Sequence, residues 1–300
     1  MSDAHAGEIA VQERTGTSFG GRIRNEIPAV AAKFLLERRY VVIAGRDGAD
    51  RMWTTMLVGS PGFARAADPQ TMAVAARPLA TDPLAPLVTH GGEVGTIALD
   101  HHRRMRVNGI LTPEHDGFRV STRQVFSNCG RYIAERHLLQ RPDDAEPAGT
   151  KPVVTKPVVT TGSELTAEQM AAIGAADTFF IGTSHPDGPA DASHRGGNPG
   201  FFRVDSPGSC SWPDYNGNAL FMTLGNITLN PRVGLLFVDW ANGGMLQVSG
   251  RAQINWDESE ARSRPGAERV VELTVDAVQE TRQALHAHWG AALLSRYNPT

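Results

Sequence analysis

The chain has 300 residues and only two cysteines, Cys129 and Cys210, far apart. That excludes a disulfide framework and fits a cytoplasmic address. No apolar run reaches the length of a membrane span. The opening stretch, "MSDAHAGEIAVQERTGTSFGG", carries acids and has no apolar centre, so it does not read as a signal peptide. There is no excess of one charge: the formal net charge is −3, without the basic stripe of a nucleic-acid binder. GxGxxG, the Walker loop, HExxH and paired CxxC are all missing, so neither a nicotinamide-binding Rossmann domain nor a metal site is expected. His101 and His102 would point to opposite faces of a strand, and His286 and His288 lie two apart on an expected helix. With 41% hydrophobic and 20% charged residues, the chain is globular and long enough for one large domain or two ordinary ones.

What is present is a repeat. "VVIAGRDG" (41–48) answers "FFIGTSHPDG" (179–188), and "GSPGF" (59–63) answers "GNPGF" (197–201). "VGTIALD" (94–100) answers "VGLLFVD" (233–239), and "MRVNG" (105–109) answers "LQVSG" (246–250). The last three pairs are offset by 138, 139 and 141 residues, in the same order. Between the copies, residues 141–164 are rich in Pro and Thr and contain "KPVVT" twice, which reads as an extended linker. The expected organisation is an N-terminal arm (1–27), a first domain (28–140), the linker (141–164) and a second domain (165–300).

Each copy reads mainly as strands, short and rich in β-branched and aromatic residues, with turn signals "RDG", "PDG", "NGN" and "ANGG" between them. Helices are expected at 28–39 and 166–176, before the first strand of each copy. Closing helices are expected at 128–140, with Cys129 near its start, and at 270–289. Cys210 is expected in a polar loop. A helix, a run of antiparallel strands and a closing helix suit a small closed or split barrel.

The stretch "DASHRGGNPGFFRV" (191–204) carries the chemistry. Arginine beside glycine supplies a planar cationic fork where little bulk blocks a ligand; the alternative is a turn with a solvated arginine. "TLGN" (223–226) offers small residues and an amide. These segments, with "FMTLGNITLNPRVGLLFVDW", "LQVSGRAQI", "IALDHHRRMRVNG" and "SNCGRYIAER", resemble the pyridoxamine 5'-phosphate oxidase-like, FMN-binding split-barrel family in a tandem form. The resemblance implies a mainly β (α+β) fold of two tandem split β-barrels forming an internal pseudo-dimer, with FMN in the cleft between them. It implies cofactor contacts from Ser193, Arg195, Gly196, Gly197, Thr223, Leu224, Gly225, Asn226 and Gln247. The vitamin-oxidising members carry Ser-Arg-Lys where this chain has "LGNITLN", which puts a vitamin B6 substrate in doubt.

The copies are not equivalent. Ser193, His194 and Arg195 fall opposite Thr55, Met56 and Leu57, so one phosphate site per chain, in the second copy, is expected. Arg104 and Arg106 share one face of a strand and would reach the flavin or its substrate from the first copy. His194 is the candidate proton donor. The expected function is an FMN-dependent oxidoreductase passing hydride or electrons to a small acceptor, acidic or electron-poor, or to oxygen. The alternatives are a non-enzymatic flavin carrier and a haem- or deazaflavin-binding protein on the same fold. The pseudo-dimer could itself pair as a homodimer; no nucleic-acid or membrane partner is expected.

Overall fold

The computed structural model describes residues 4–139 and 156–300, so residues 141–155 of the expected linker lie outside the described residues. The first half runs α1 (Ala6–Thr15), α2 (Ala29–Leu36), β1 (Tyr40–Arg46), β2 (Met52–Val58), β3 (Ala64–Asp68), β4 (Thr71–Val74), α3 (Ala85–His90), β5 (Gly92–Leu99), β6 (Arg103–Glu114), β7 (Gly117–Cys129) and β8 (Leu138–Leu139). The second runs β9 (Val158–Gly162), α4 (Ala167–Gly174), β10 (Thr178–Ser184), β11 (Ala190–Gly196), β12 (Arg203–Ser206), β13 (Ser209–Tyr215), α5 (Met222–Leu229), β14 (Arg232–Asp239), β15 (Gly244–Asn255), α6 (Glu258–Arg262), β16 (Ala267–Arg282) and β17 (His288–Trp289). No helix of the described residues is long and apolar enough to cross a membrane.

The protein is mainly β, and its two large sheets share one strand order. The first reads β2-β1-β5-β6-β7-β4-β3 and the second β11-β10-β14-β15-β16-β13-β12, with β9 added beside β16. Neither hydrogen-bonded path closes into a ring, so the expected barrels are open sheets in their pairing. The irregularities match as well. Register shifts fall between Asn108 and Gly109 in one copy and Ser249 and Gly250 in the other. A Cβ on Gly109 would sit 1.9 Å from the Ser121 carbonyl oxygen, and one on Gly250 would sit 2.2 Å from that of Thr274. The glycine ending "MRVNG" and "LQVSG" is therefore a bulge glycine in both copies.

The halves touch reciprocally. β2 lies against β14 and β15, while β11 lies against β5 and β6. A Cβ on Gly95 would meet the Asp191 Cα at 2.4 Å, and one on Gly234 would meet the Trp53 Cα at 2.6 Å. The glycine after valine in each "VG" motif thus lets the other half's strand cross in backbone contact. Each half has its own core, around Phe118, Leu35 and Met72 in the first and Phe179, Phe202 and Trp212 in the second. A third apolar cluster, with Val42, Met56, Phe180, Leu236 and Trp289, lies between them.

The helices expected at 28–39 and 166–176 form as α2 and α4. Thr166 caps α4, and its hydroxyl accepts from Gln169 N while the Gln169 side chain accepts from Thr166 N. Both closing helices are corrected. Residues 270–289 form most of β16 and all of β17, because Val271, Leu273, Val275 and Ala277 are buried while Thr274 and Asp276 between them are exposed or half-exposed, a period of two. Residues 128–139 hold the end of β7, a turn and β8, so Cys129 ends a strand rather than opening a helix. Cys210 is not in a polar loop: it is buried in β13, and burial pushes its thiol up to about 12. His101 and His102 sit in the bend between β5 and β6 with ring centroids 3.8 Å apart. The last nine residues of the expected linker include β9, an edge strand on the second sheet.

Candidate functional site

β11 sets the site. Its alternation turns Asp191, Ser193 and Arg195 to one face and His194 to the other. From the first half, β6 brings Arg104 and Arg106 across. The Arg106 guanidinium donates from Nη1 to Asp191 Oδ2 at 2.8 Å and from Nη2 to Ser193 Oγ at 2.6 Å, and Asn108 Nδ2 donates to Asp191 Oδ1 at 3.0 Å. Arg104 donates to the His194 carbonyl at 3.3 Å and to the Arg131 carbonyl. Arg195 pairs with Asp214 Oδ1 at 3.2 Å, and the other oxygen of Asp214 accepts from Arg269 at 2.7 Å.

These groups border a cleft of about 330 Å³. Its other walls come from the Arg131–Tyr132 turn, Phe201, the end of β13 and the 216–221 loop leading into α5. Five described non-glycine residues have a left-handed backbone, and three of them, Tyr132, Ala219 and Phe221, line this cleft. Strained backbone concentrated in one place is characteristic of a functional site. Phe221 is the N-cap of α5 and offers no side-chain cap, so the first-turn amides lack intrahelical acceptors, and Met222, Thr223 and Leu224 of that turn line the cleft. Positive helix-end potential and Arg195 therefore meet on one side of the cavity.

Eight of the residues singled out by sequence line the cleft together: Arg104, Arg106, Ser193, His194, Arg195, Gly196, Thr223 and Leu224. Thr223 and Leu224 were expected at a strand end and loop; they are the first turn of a helix. The other four are not lining residues. Gly197 turns the chain, its N–H donating to the Asp177 carbonyl at 3.0 Å. Gly225 backs onto α1, where a Cβ would meet Glu8 N at 2.6 Å. Asn226 donates to Thr183 Oγ1 at 3.0 Å. Gln247 is fully buried and donates to the Thr54 carbonyl at 3.0 Å and to Asp82 at 3.3 Å. Sequence reasoning missed Asp191, Asp214 and the 216–221 loop; "NGN" (216–218) read only as a turn signal.

The strand registers explain Gln247. Val42 pairs with Met56 and with Ile97, which pairs with Arg106; Phe180 pairs with His194 and with Leu236, which pairs with Gln247. Met56 therefore stands where His194 does, and Gln247 where Arg106 does. At that counterpart position Thr55 donates to Asp82 at 2.6 Å, and Leu84 beside it is fully buried. Among the described residues the two positions differ chemically, and the counterpart is occupied by Thr55, Asp82 and Leu84.

His194 is 2% exposed, and burial first, then Arg104 and Arg195, holds its imidazole well below the usual range. At neutral pH it is uncharged, so it can accept a proton or donate a hydrogen bond, whereas giving up its own ring proton would leave an imidazolate anion. Burial pushes Asp191 and Asp214 up, while their arginine partners pull them back.

The N-terminal arm is part of the site's support. α1 packs on α5 with Gly7 over Gly225, Val11 enters the second core, and Gln12 donates to the carbonyl of Leu220, a cleft residue. Burial raises Glu8 to about 7 and lowers His5, 3.8 Å away, to about 4. On unfolding near pH 5.5, Glu8 releases a proton and His5 takes one up, so the two effects on stability oppose. Glu8→Gln removes the carboxyl's share and leaves the depressed histidine, whose stabilisation is complete above 6.5 and is lost as pH falls towards 4. Relative to the parent, the variant's melting temperature should therefore rise with pH across that window, as read by circular dichroism. A constant difference between the two proteins would mean that the pair is not coupled to folding.

Residues 165–288 match the model of the pyridoxamine 5'-phosphate oxidase family. No curated protein matches the chain. Among solved structures, HupZ of Group A Streptococcus is 14% identical, covering 37% of this chain and 90% of its own, with a TM-score of 0.32. A FAD-binding protein from Mesorhizobium loti is 14% identical, covering 41% and 98%, with a TM-score of 0.28. An F420 reductase is 18% identical, covering 37% and 95%, also at 0.28. The stretch that matches the pyridoxamine 5'-phosphate oxidase family model is the one that carries β11 and α5.

Proposed function

We propose that the protein is a flavin-dependent oxidoreductase that binds FMN in the cleft between its halves, and that those halves are two copies of one split-barrel domain. The observation that carries the reading is the coincidence of Arg195, the uncapped first turn of α5 and the strained 219–221 backbone on one cavity wall. A phosphomonoester needs that combination of a cationic fork, free amides and little steric bulk. Arg195 Nε is buried without a partner among the described residues, so the guanidinium has donor capacity left beyond Asp214. The duplication is supported by the shared strand order and by bulges at matching positions.

In this reading, Arg195, Ser193, Thr223 and the Leu224 amide hold the phosphate. Arg104 and Arg106 from the first half close the cleft and favour an acidic or electron-poor substrate. Bound flavin supplies hydride or electron transfer; the chain binds, orients and excludes water, and neutral His194 borders the cleft as a buried group able to take up a proton. The low cysteine count suits a cytoplasmic setting. Absorbance and mass of the small molecule released from purified protein test the proposal. FMN, followed by oxidation of a reduced nicotinamide with an acceptor present, is the expected result. FMN without turnover against a broad acceptor panel would favour a carrier, and a haem or deazaflavin would replace the cofactor assignment.

A further inference from the structure

We infer that a second cavity, on the other side of His194, binds an uncharged planar aromatic molecule of one or two rings. This goes beyond the flavin reading and does not depend on it. The cavity measures about 240 Å³, and His194 lines both it and the cofactor cleft. An apolar cavity of about 150 Å³ accepts benzene, so there is room for a fused pair of rings.

Four rings stand among its walls, which also carry Glu37, Arg38, Asp100, Glu135 and Arg136. Tyr40, Trp240 and Trp289 meet edge to face, with centroids 6.0 Å, 6.1 Å and 5.1 Å apart, and Phe180 adds a fourth ring. Such rings offer both faces and edges to a flat guest. The charges around them are spent on one another. Arg136 grips both oxygens of Asp177 at 2.7 and 2.6 Å, and Arg38 lies 3.5 Å from Asp100 and 3.3 Å from Glu37. His137 and His101 flank Glu135, and Arg39 is solvent-exposed. Apart from exposed Arg39, the charges lining the cavity are paired among the described residues, so a charged guest would gain little counter-charge inside. One polar group does lack a partner: Thr178 Oγ1 is buried and unbonded among the described residues. A hydroxyl left unsatisfied in an aromatic pocket fits a ring nitrogen or carbonyl. The pocket is also held at both ends, because β8 pairs with β17 and Trp289 N donates to the Trp240 carbonyl at 2.8 Å, tying the first half's 133–139 strip to the second half.

The test uses quinoxaline, a neutral two-ring base, titrated into the full chain freed of small molecules, with tryptophan fluorescence as the signal. Saturable quenching is expected. Thr178→Val keeps the shape and removes the hydroxyl, and should weaken binding about fivefold, the worth of one neutral hydrogen bond. Ala134→Phe, which fills the cavity from the 133–139 strip, should abolish quenching while leaving the melting curve close to that of the parent. Quinoxaline-2-carboxylate should bind at least about tenfold more weakly, because its charge is desolvated without a partner. No saturable quenching in the parent, unchanged quenching in a folded Ala134→Phe variant, or preference for the carboxylate would each overturn the inference.

Discussion

Arg106→Met should lower the stability of the folded chain by about 3–5 kcal/mol, the loss expected when one member of a buried ion pair is removed and the other is left behind. Arg106 is 5% exposed and Asp191 1%. The pair joins the halves, since Arg106 lies on β6 and Asp191 on β11. Without the guanidinium, Asp191 keeps Asn108 Nδ2 as its remaining side-chain donor. Burial already pushes this carboxyl up, and Arg106 is the first influence opposing it. Removing Arg106 raises it further, so the folded variant holds a proton that the unfolded chain releases. Stability then falls as pH rises through the raised pKa, and the deficit should be smaller at about pH 5 than at about pH 8. Arg106→Met/Asp191→Asn removes both charges and should recover most of the loss. Urea unfolding at the two pH values measures all of this. A double variant no more stable than the single one would mean that the cost lies in packing around Phe126, over which the guanidinium sits, and not in the stranded carboxylate.

The landmarks shared by the two halves were legible because they are backbone requirements. The glycines of "VG" and of "VNG" and "VSG" occupy places where any Cβ would strike another strand, so they appear as the same letter in both halves. The same feature made the cleft side of β11 readable: Arg195 and Gly196 are visible as a local motif, and both line the cleft. What was not legible depends on distant parts. α1 stands far from α5 in sequence, and the Gly7–Gly225 approach, Val11 and the Gln12 hydrogen bond to Leu220 tie it to the second half. Asp214 looks like a turn residue until β16 brings Arg269 to it. The run 270–282 contains Glu, Ala and Gln, which favour helix, but its valines and threonines alternate between the two faces of a long central strand, and pairing with β15 on one side and β13 on the other overrides that propensity. Gln247 was assigned by analogy with a flavin-facing position. Register places it on the closed side, opposite Thr54 and Asp82.

Replacing Arg195 with Ala should weaken FMN binding by about 1.5–3 kcal/mol, or roughly 10- to 150-fold, the range of a hydrogen bond made by a charged group. The fold should survive the change, because the Arg195 side chain is 24% exposed and Asp214 keeps its 2.7 Å contact with Arg269. The structure supplies the control. Leu57 occupies the repeat position of Arg195, since Met56 stands where His194 does and each strand continues in step. Leu57 is 2% exposed within the first half's core, away from the cleft lining. Leu57→Met conserves volume and should cost less than about 1.5 kcal/mol of stability, with FMN affinity unchanged. Quenching of flavin fluorescence on titration with each variant gives the two affinities directly. If one copy alone carries the phosphate site, the losses differ by at least tenfold; equal losses would show that the two positions contribute alike and that the asymmetry between the copies is not what selects the site.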